Sequence, residues 1–280
     1  MNNLTPEYKI ETICQDTYAI ADPGIGIGAV YFYLLVGRQK ALLIDSGYGL
    51  LDLKEIVRTI TDKEVICVCT HGHIDHALGA CQFENAYLHS NDFEVYDRHK
   101  APDFIRQVGF AEGPMYAEDP VRSGPYHKEL VERLAAAPHP ALKPLNHISA
   151  FNLGGRTVSC HHLPGHTQGS VILYDRENHI IFDSDAAPIG AWIFLPESSP
   201  VFEYIYTMEN YRKFLLTNQI TARYAGHAST PLTVKDLDAL ITCCYKAQKN
   251  PQGGIPFSTP FGDTRIYMDE TTAVFAPIHP

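Results

Sequence analysis

An α+β fold is what this sequence predicts, on three observations. Apolar runs of strand length alternate with helically spaced segments in both halves of the chain. The connections are mixed, since some strands join through tight polar turns and others through helices. Several strands also end in short loops carrying His and Asp, the arrangement in which a rigid element presents functional side chains. A length of 280 residues with 45% hydrophobic and 19% charged content can fill a sizeable core. The sequence has no internal repeat and no low-complexity tract. We expect a single domain over 1–280, with an insertion at about 91–150.

Tyr8 to Ile13 and Thr17 to Ile20 open the chain as a strand pair. Pro23 to Gly28 holds three alternating glycines, but a strand follows where a nucleotide-binding loop would need a helix. Val30 to Val36 and Ala41 to Ile44 are apolar strands joined by the Gly37-Arg38-Gln39-Lys40 turn, and Asp45-Ser46-Gly47 ends the second. Leu50, Leu53, Ile56, Val57 and Ile60 have helical spacing. Val65 to Cys69 is a short, partly β-branched buried strand.

Directly after it comes His71-Gly72-His73-Ile74-Asp75-His76, three imidazoles and a carboxylate within six residues. These ligands suit zinc or iron. An unbroken helix would scatter them around its axis, so the segment is expected as a loop, with a helix beginning at Ala77-Leu78-Gly79-Ala80. From about Asn91 to Ala150 many Pro, His and Tyr residues separate short helical pieces, of which Glu129 to Ala137 is the clearest. This stretch is too long for an ordinary loop and is expected to be an inserted, partly helical cap.

Regular structure resumes with Arg156 to Leu163, then Ser170 to Tyr174 and His179 to Phe182 as a hairpin through Asp175-Arg176-Glu177-Asn178. Met208 to Ile220 is helical, Ala222 to Ala225 a strand, and Val234 to Gln248 a helix capped by Thr233. Arg265 to Met268 and Thr272 to Phe275 close the chain as strands. Three more ligand candidates stand at strand ends in this half: His166 in a Gly/Pro turn, Asp185 after Phe182-Asp183-Ser184, and His227 after Tyr224-Ala225-Gly226.

Net charge is −10, which excludes a general nucleic-acid binder. The longest apolar run is Ala29 to Val36, too short to cross a membrane. The polar start, Met1 to Glu7, shows no signal peptide, and seven Cys without a C-x-x-C pair are expected as free thiols. Together these features point to the cytoplasm.

In order, Asp45-Ser46-Gly47, His71 to His76, Pro164-Gly165-His166-Thr167, Asp185 and Gly226-His227 resemble the motif series of the metallo-β-lactamase fold superfamily. The first of these carries an extra Ser between Asp and Gly. The resemblance runs from about Ile10 to Phe275 and misses the insertion. It implies a four-layered αβ/βα sandwich, with the inserted cap. By position it implies His71, His73 and His166 on a first metal, Asp75, His76 and His227 on a second, and Asp185 bridging the two. The cofactors implied are two zinc ions, with iron or manganese as alternatives. Asp45 would steady the loop from beneath. Asp183 competes for the bridging place, but the family puts a small residue after the bridging Asp, as Ala186 does here.

The reaction implied is hydrolysis of a small-molecule carboxylic ester, thioester or lactone by a metal-bridging hydroxide, with Asp75 orienting it and passing a proton. Departures from the family's lactonases include Ala186-Ala187-Pro188-Ile189 after Asp185 in place of an early Tyr. Two alternatives remain: a mononuclear iron sulfur dioxygenase using His71, His166 and Asp185, and a phosphodiesterase using Arg98-His99-Lys100 and Arg106. Candidate substrate contacts are Tyr116, Tyr126 and His127 in the cap, with Trp192 and Phe194 in the apolar run Ala191 to Pro196. The expected partner is a small molecule, without nucleic acid or membrane, and a homodimer would use the insertion.

Overall fold

The structure, a computed structural model, describes residues 8–24, 29–112, 127–146, 149–228 and 230–278. The chain divides into two compact units, Met1–Ser159 and Cys160–Pro280.

The first unit is built on a seven-stranded sheet whose strands lie side by side in chain order. These are β1 (Lys9–Cys14), β2 (Thr17–Asp22), β3 (Val30–Val36), β4 (Lys40–Ile44), β5 (Glu64–Val68), β6 (Ala86–Leu88) and β7 (Lys143–Pro144). Pairing is antiparallel from β1 to β4 and parallel from β4 to β7. The change at β4 follows from the connections, because short turns join β1 to β2 and β3 to β4, whereas α1 (Leu53–Arg58) bridges β4 to β5. β3 and β4 are apolar on both faces, with Phe32, Leu34, Leu35, Leu42 and Leu43 fully buried. Asp52 caps α1 by accepting from the Glu55 N–H at 2.9 Å.

The ligand segment departs from the expected loop. Ile74–Ala77 forms one helical turn, α2, followed by a 3₁₀ turn over Leu78–Gln82. A single turn places Asp75 and His76 beside each other near its start, so the scatter of a long helix never develops. The stretch at 91–150 contributes α3 (Phe93–His99), α4 (Pro102–Gly109), α5 (His127–Ala136) and β8 (Ala150–Asn152) as well as β7. β8 pairs antiparallel with β9 (Thr157–His162), the strand that leads out of this unit.

In the second unit, β10 (Val171–Asp175) and β11 (Ile180–Ser184) form the expected hairpin. A short strand β12 (Ala191–Trp192) and helix α6 (Val201–Thr217) follow, and then β13 (Ala222–Ala225) pairs parallel with β11. Thr233 closes a full capping box with Asp236 at the start of α7 (Val234–Lys249). β14 (Ile255–Thr259), β15 (Gly262–Met268) and β16 (Ala273–Pro277) complete a separate four-stranded sheet of order β12-β16-β15-β14. Tyr204, Met208 and Leu215 of α6 and Leu237, Leu240 and Cys244 of α7 share one apolar core with Val274 and Ala276 of that sheet. None of the helices is long and apolar enough to cross a membrane among the described residues.

Candidate functional site

In the first unit, four sequence-predicted ligands come together within one buried knot. His71, His73, Asp75 and His76 are all at most 6% exposed. Their rings crowd one another, with His71 4.6 Å from His73 and 4.3 Å from His76 between centroids. Asp75 Oδ2 stands 3.5 Å from His76 Nε2.

Asp45 supports this knot from the end of β4. Its Oδ1 accepts from the Thr70 N–H at 2.7 Å and from the Thr70 hydroxyl at 2.9 Å, while Oδ2 lies 3.0 Å from His76 Nδ1. Thr70 Oγ1 in turn lies 3.1 Å from His71 Nδ1. Ser46 adds a second tie, donating from its backbone N–H and its hydroxyl to the His76 carbonyl. Glycine is required twice here. A Cβ on Gly72 would lie 2.8 Å from the Asp92 carbonyl oxygen, and one on Gly79 2.1 Å from that of Ser46.

Asp92, Phe104 and Asp22 escaped the sequence reading, and His99 was read only as part of a basic cluster. Asp92, fully buried, accepts from the Gly72 N–H at 2.8 Å. His99 accepts from the Ile74 N–H at 3.1 Å and stacks on His73 with an interplanar angle of 9°. Phe104 stacks on the other side of His99. Asp22, also fully buried, accepts from the backbone N–H groups of Gly24 and Tyr48. Burial pushes the Asp22 carboxyl up to about 6; the two backbone donors oppose that shift and the charge of Asp75 adds to it.

The second unit gathers the other three ligands around one carboxylate. Asp185 Oδ2 lies 3.3 Å from His227 Nε2 and 3.9 Å from His166 Nε2. His166 donates from Nδ1 to the Trp192 carbonyl at 2.7 Å, and Ser198 donates to the His166 carbonyl at 2.8 Å. The hairpin strand β11 slips register against β13 just before Asp185, at Phe182/Ser184, and Ser184 takes a left-handed φ of 45°. That bulge separates the roles of two nearby acids. Asp183 turns into the core, where it pairs with Arg223 and accepts from the Tyr211 hydroxyl at 2.9 Å. Arg223 also donates to the Ala187 carbonyl at 3.0 Å. Burial pushes the Asp183 carboxyl up, against the pull of the Arg223 charge. The pair therefore locks together the ends of β11 and β13, the strands that carry Asp185 and His227.

Both clusters have the chemistry of metal ligands. A ligating His commonly donates its second ring nitrogen to a carboxylate or carbonyl. His76 has such a partner in Asp45 and His166 has one in the Trp192 carbonyl, an arrangement in which Nε2 of each would be the ligating atom. Two donors each about 2.0–2.1 Å from one tetrahedral ion stand ~3.4 Å apart. The Asp75–His76 and Asp185–His227 separations of 3.5 and 3.3 Å match that spacing.

The remaining candidates are placed elsewhere. His127 sits at the start of α5 with Nε2 2.7 Å from the Gly109 carbonyl and its ring edge-on to Phe110. Tyr116 and Tyr126 lie outside the described residues. Trp192 and Phe194 pack together, centroids 5.2 Å apart. Of the basic cluster, Lys100 pairs with Asp97, Arg106 pairs with Glu132, and His99 is buried.

Comparison with known proteins agrees with this geometry. The family model described as the metallo-beta-lactamase superfamily matches residues 25–227, a span that contains all seven candidate ligands. The chain belongs to the metallo-β-lactamase superfamily. It is an enzyme of the hydrolase class, and its α+β architecture is the metallo-β-lactamase fold. Among solved structures, a metallo-beta-lactamase from Pontibacter korlensis superposes with a TM-score of 0.61 at 14% identity, covering 85% of this chain and 99% of its own. DIM-1 metallo-beta-lactamase gives 0.61 at 14% identity over 86% and 99%. Likeness at that identity speaks for the fold alone. Among sequence relatives of this superfamily member, the acyl-coenzyme A thioesterase MBLAC2 of Gallus gallus is 26% identical over 205 residues, 70% of this chain and 71% of the relative. The Homo sapiens protein of that name is 25% identical over 210 residues, 71% and 72% of the two chains.

Proposed function

We propose that this enzyme hydrolyses an acyl thioester at a dinuclear metal centre formed by His71, His73, Asp75, His76, His166, Asp185 and His227. The observation that carries the substrate class is the similarity to proteins named acyl-coenzyme A thioesterase over some seven-tenths of the chain. The ligand roles follow the family order, with His71, His73 and His166 on one ion, Asp75, His76 and His227 on the other, and Asp185 between them. Zinc suits this His-rich set. Metal bound there supplies Lewis acidity and lowers the pKa of water toward about 7.

The protein's own groups supply the rest. Asp45, Thr70 and the Trp192 carbonyl fix the ring orientations. Asp75 takes the proton released by the attacking water and passes it to the departing thiolate, giving the free thiol. Residues 91–150 act as the cap that sets substrate size within one functional domain, 1–280. In support, Asp92 and His99 of that stretch already hold Gly72, Ile74 and His73. A cytoplasmic setting accords with seven free cysteines.

The test is release of free thiol from coenzyme A thioesters by zinc-loaded protein, beside lactone, carboxylic-ester and phosphodiester substrates. Thioesters should give the highest kcat/KM, and Asp75→Asn should lower it at least ~100-fold. Faster turnover of a phosphodiester, or full activity in Asp75→Asn, would refute the assignment.

A further inference from the structure

The four-stranded sheet of the second unit has two faces of opposite character. On one, Ala191, Tyr267, Val274 and Ala276 are buried in the core with α6 and α7. The strand register defines the other. Trp192 lies opposite Phe275, Phe275 opposite Ile266, and Ile266 opposite Ile255, so an unbroken apolar row crosses all four strands. At about 4.8 Å per strand the row is ~14 Å long. Phe257 packs against Phe275 beside it, and Phe194 and Phe261 pack against Trp192. The face is open to water: Ile255 is 60% exposed, and Trp192, Phe257, Phe261, Ile266 and Phe275 are half-buried. At its far edge the sheet meets α7, where an open pocket of about 550 Å³ is lined by Lys246 and Lys249 together with Ile255, Ile266, Tyr267 and Met268. At its near end the Trp192 carbonyl holds His166.

We propose that this face binds the acyl chain of the substrate, along the row from Trp192, beside the candidate ligand His166, to Ile255. The proposal rests on the thioester reading above and extends it to medium and long chains. Continuity with His166 places one end of the row at the candidate ligands. The row carries no ionisable side chain, so it suits an alkyl chain. β14, β15 and β16 follow residue 227, where the family match ends, while Trp192 of β12 lies within it.

Trp192 is the only tryptophan, so its emission reports directly on this face. Zinc-loaded protein is titrated with laurate and, as a control with the same carboxylate, butyrate. Laurate should shift the emission saturably and butyrate should not, and Ile266→Ser should weaken laurate about tenfold. In parallel, kcat/KM is measured for butanoyl-, octanoyl- and dodecanoyl-coenzyme A. The dodecanoyl-to-butanoyl ratio should fall about tenfold in Ile266→Ser and in the exposed-site variant Ile255→Ser, whose melting checks that the fold is intact. Laurate binding without any thioester turnover would sink the thioester reading and leave the apolar face standing. Thioester turnover with a flat chain-length profile and a silent tryptophan would overturn the proposal. So would a dimer in light scattering that Ile255→Asp dissociates, which would make the face a self-association surface.

Discussion

Asp45 holds a left-handed backbone with φ of 63°, a conformation that few side chains other than Asn and Asp tolerate. Its carboxylate explains why the strain persists, since both oxygens are committed to Thr70 and His76. Asp45→Asn keeps the size but loses an acceptor, so zinc affinity measured by chelator competition should drop ~10–100-fold. Unchanged affinity would remove Asp45 from the metal centre. Asp22 gives a pH signature in metal-free protein. Its folded pKa of about 6 lies above the ordinary 3.8, so the folded state binds the extra proton between those values. Stability from this group is therefore highest below pH 4 and falls as pH rises through about 6, by ~3 kcal/mol in all. Asp22→Asn escapes that loss, so its melting temperature relative to wild type should rise between pH 4 and pH 8; a constant difference would contradict the shift. The candidate ligands stood out because residue type and spacing mark them. Asp22 and Asp92 did not, and His99 was read only within a basic cluster, because each reaches the site through the tertiary path: Asp92 meets Gly72 from twenty residues away.

At the level of elements, strands bounded by Gly, Pro or polar turns were readable, and helices with irregular faces were less so. The helix expected from Met208 starts at Val201, because Phe202 and Tyr206 are 60% and 70% exposed and break the amphipathic pattern. β12 and β14 escaped notice because two residues, and a strand containing Pro256, carry little periodicity. The β11 bulge could not be read from sequence, yet it decides which acid faces the histidines. Its anchor is testable. Asp183→Asn leaves Arg223 buried without its counter-charge and should cost ~3–5 kcal/mol in urea denaturation. Arg223→Met should cost a similar amount, and the double variant should cost less than the sum of the two. Strict additivity would mean that the two side chains act independently.

For the whole molecule, the family match covers residues 25–227, and β14, β15 and β16 follow it. Metal content is the decisive bulk property. Zinc titration after chelation should approach two equivalents per chain, and zinc at a thousandfold its dissociation constant should add ~4 kcal/mol of stability. A melting temperature indifferent to chelator would refute the seven-ligand centre, and one tightly held iron would favour oxidation chemistry instead. The distribution of the ligands along the chain bears on how such a protein is made. Four lie within six residues ending at His76, and the last, His227, comes 151 residues later (227 − 76). At about 5–20 residues per second of synthesis, the first histidines emerge roughly 8–30 s before the last one exists. Through that interval the nascent chain gains His166 and Asp185 but still lacks the last of the seven candidate ligands. Loading of the proposed centre thus waits until the ribosome has passed His227.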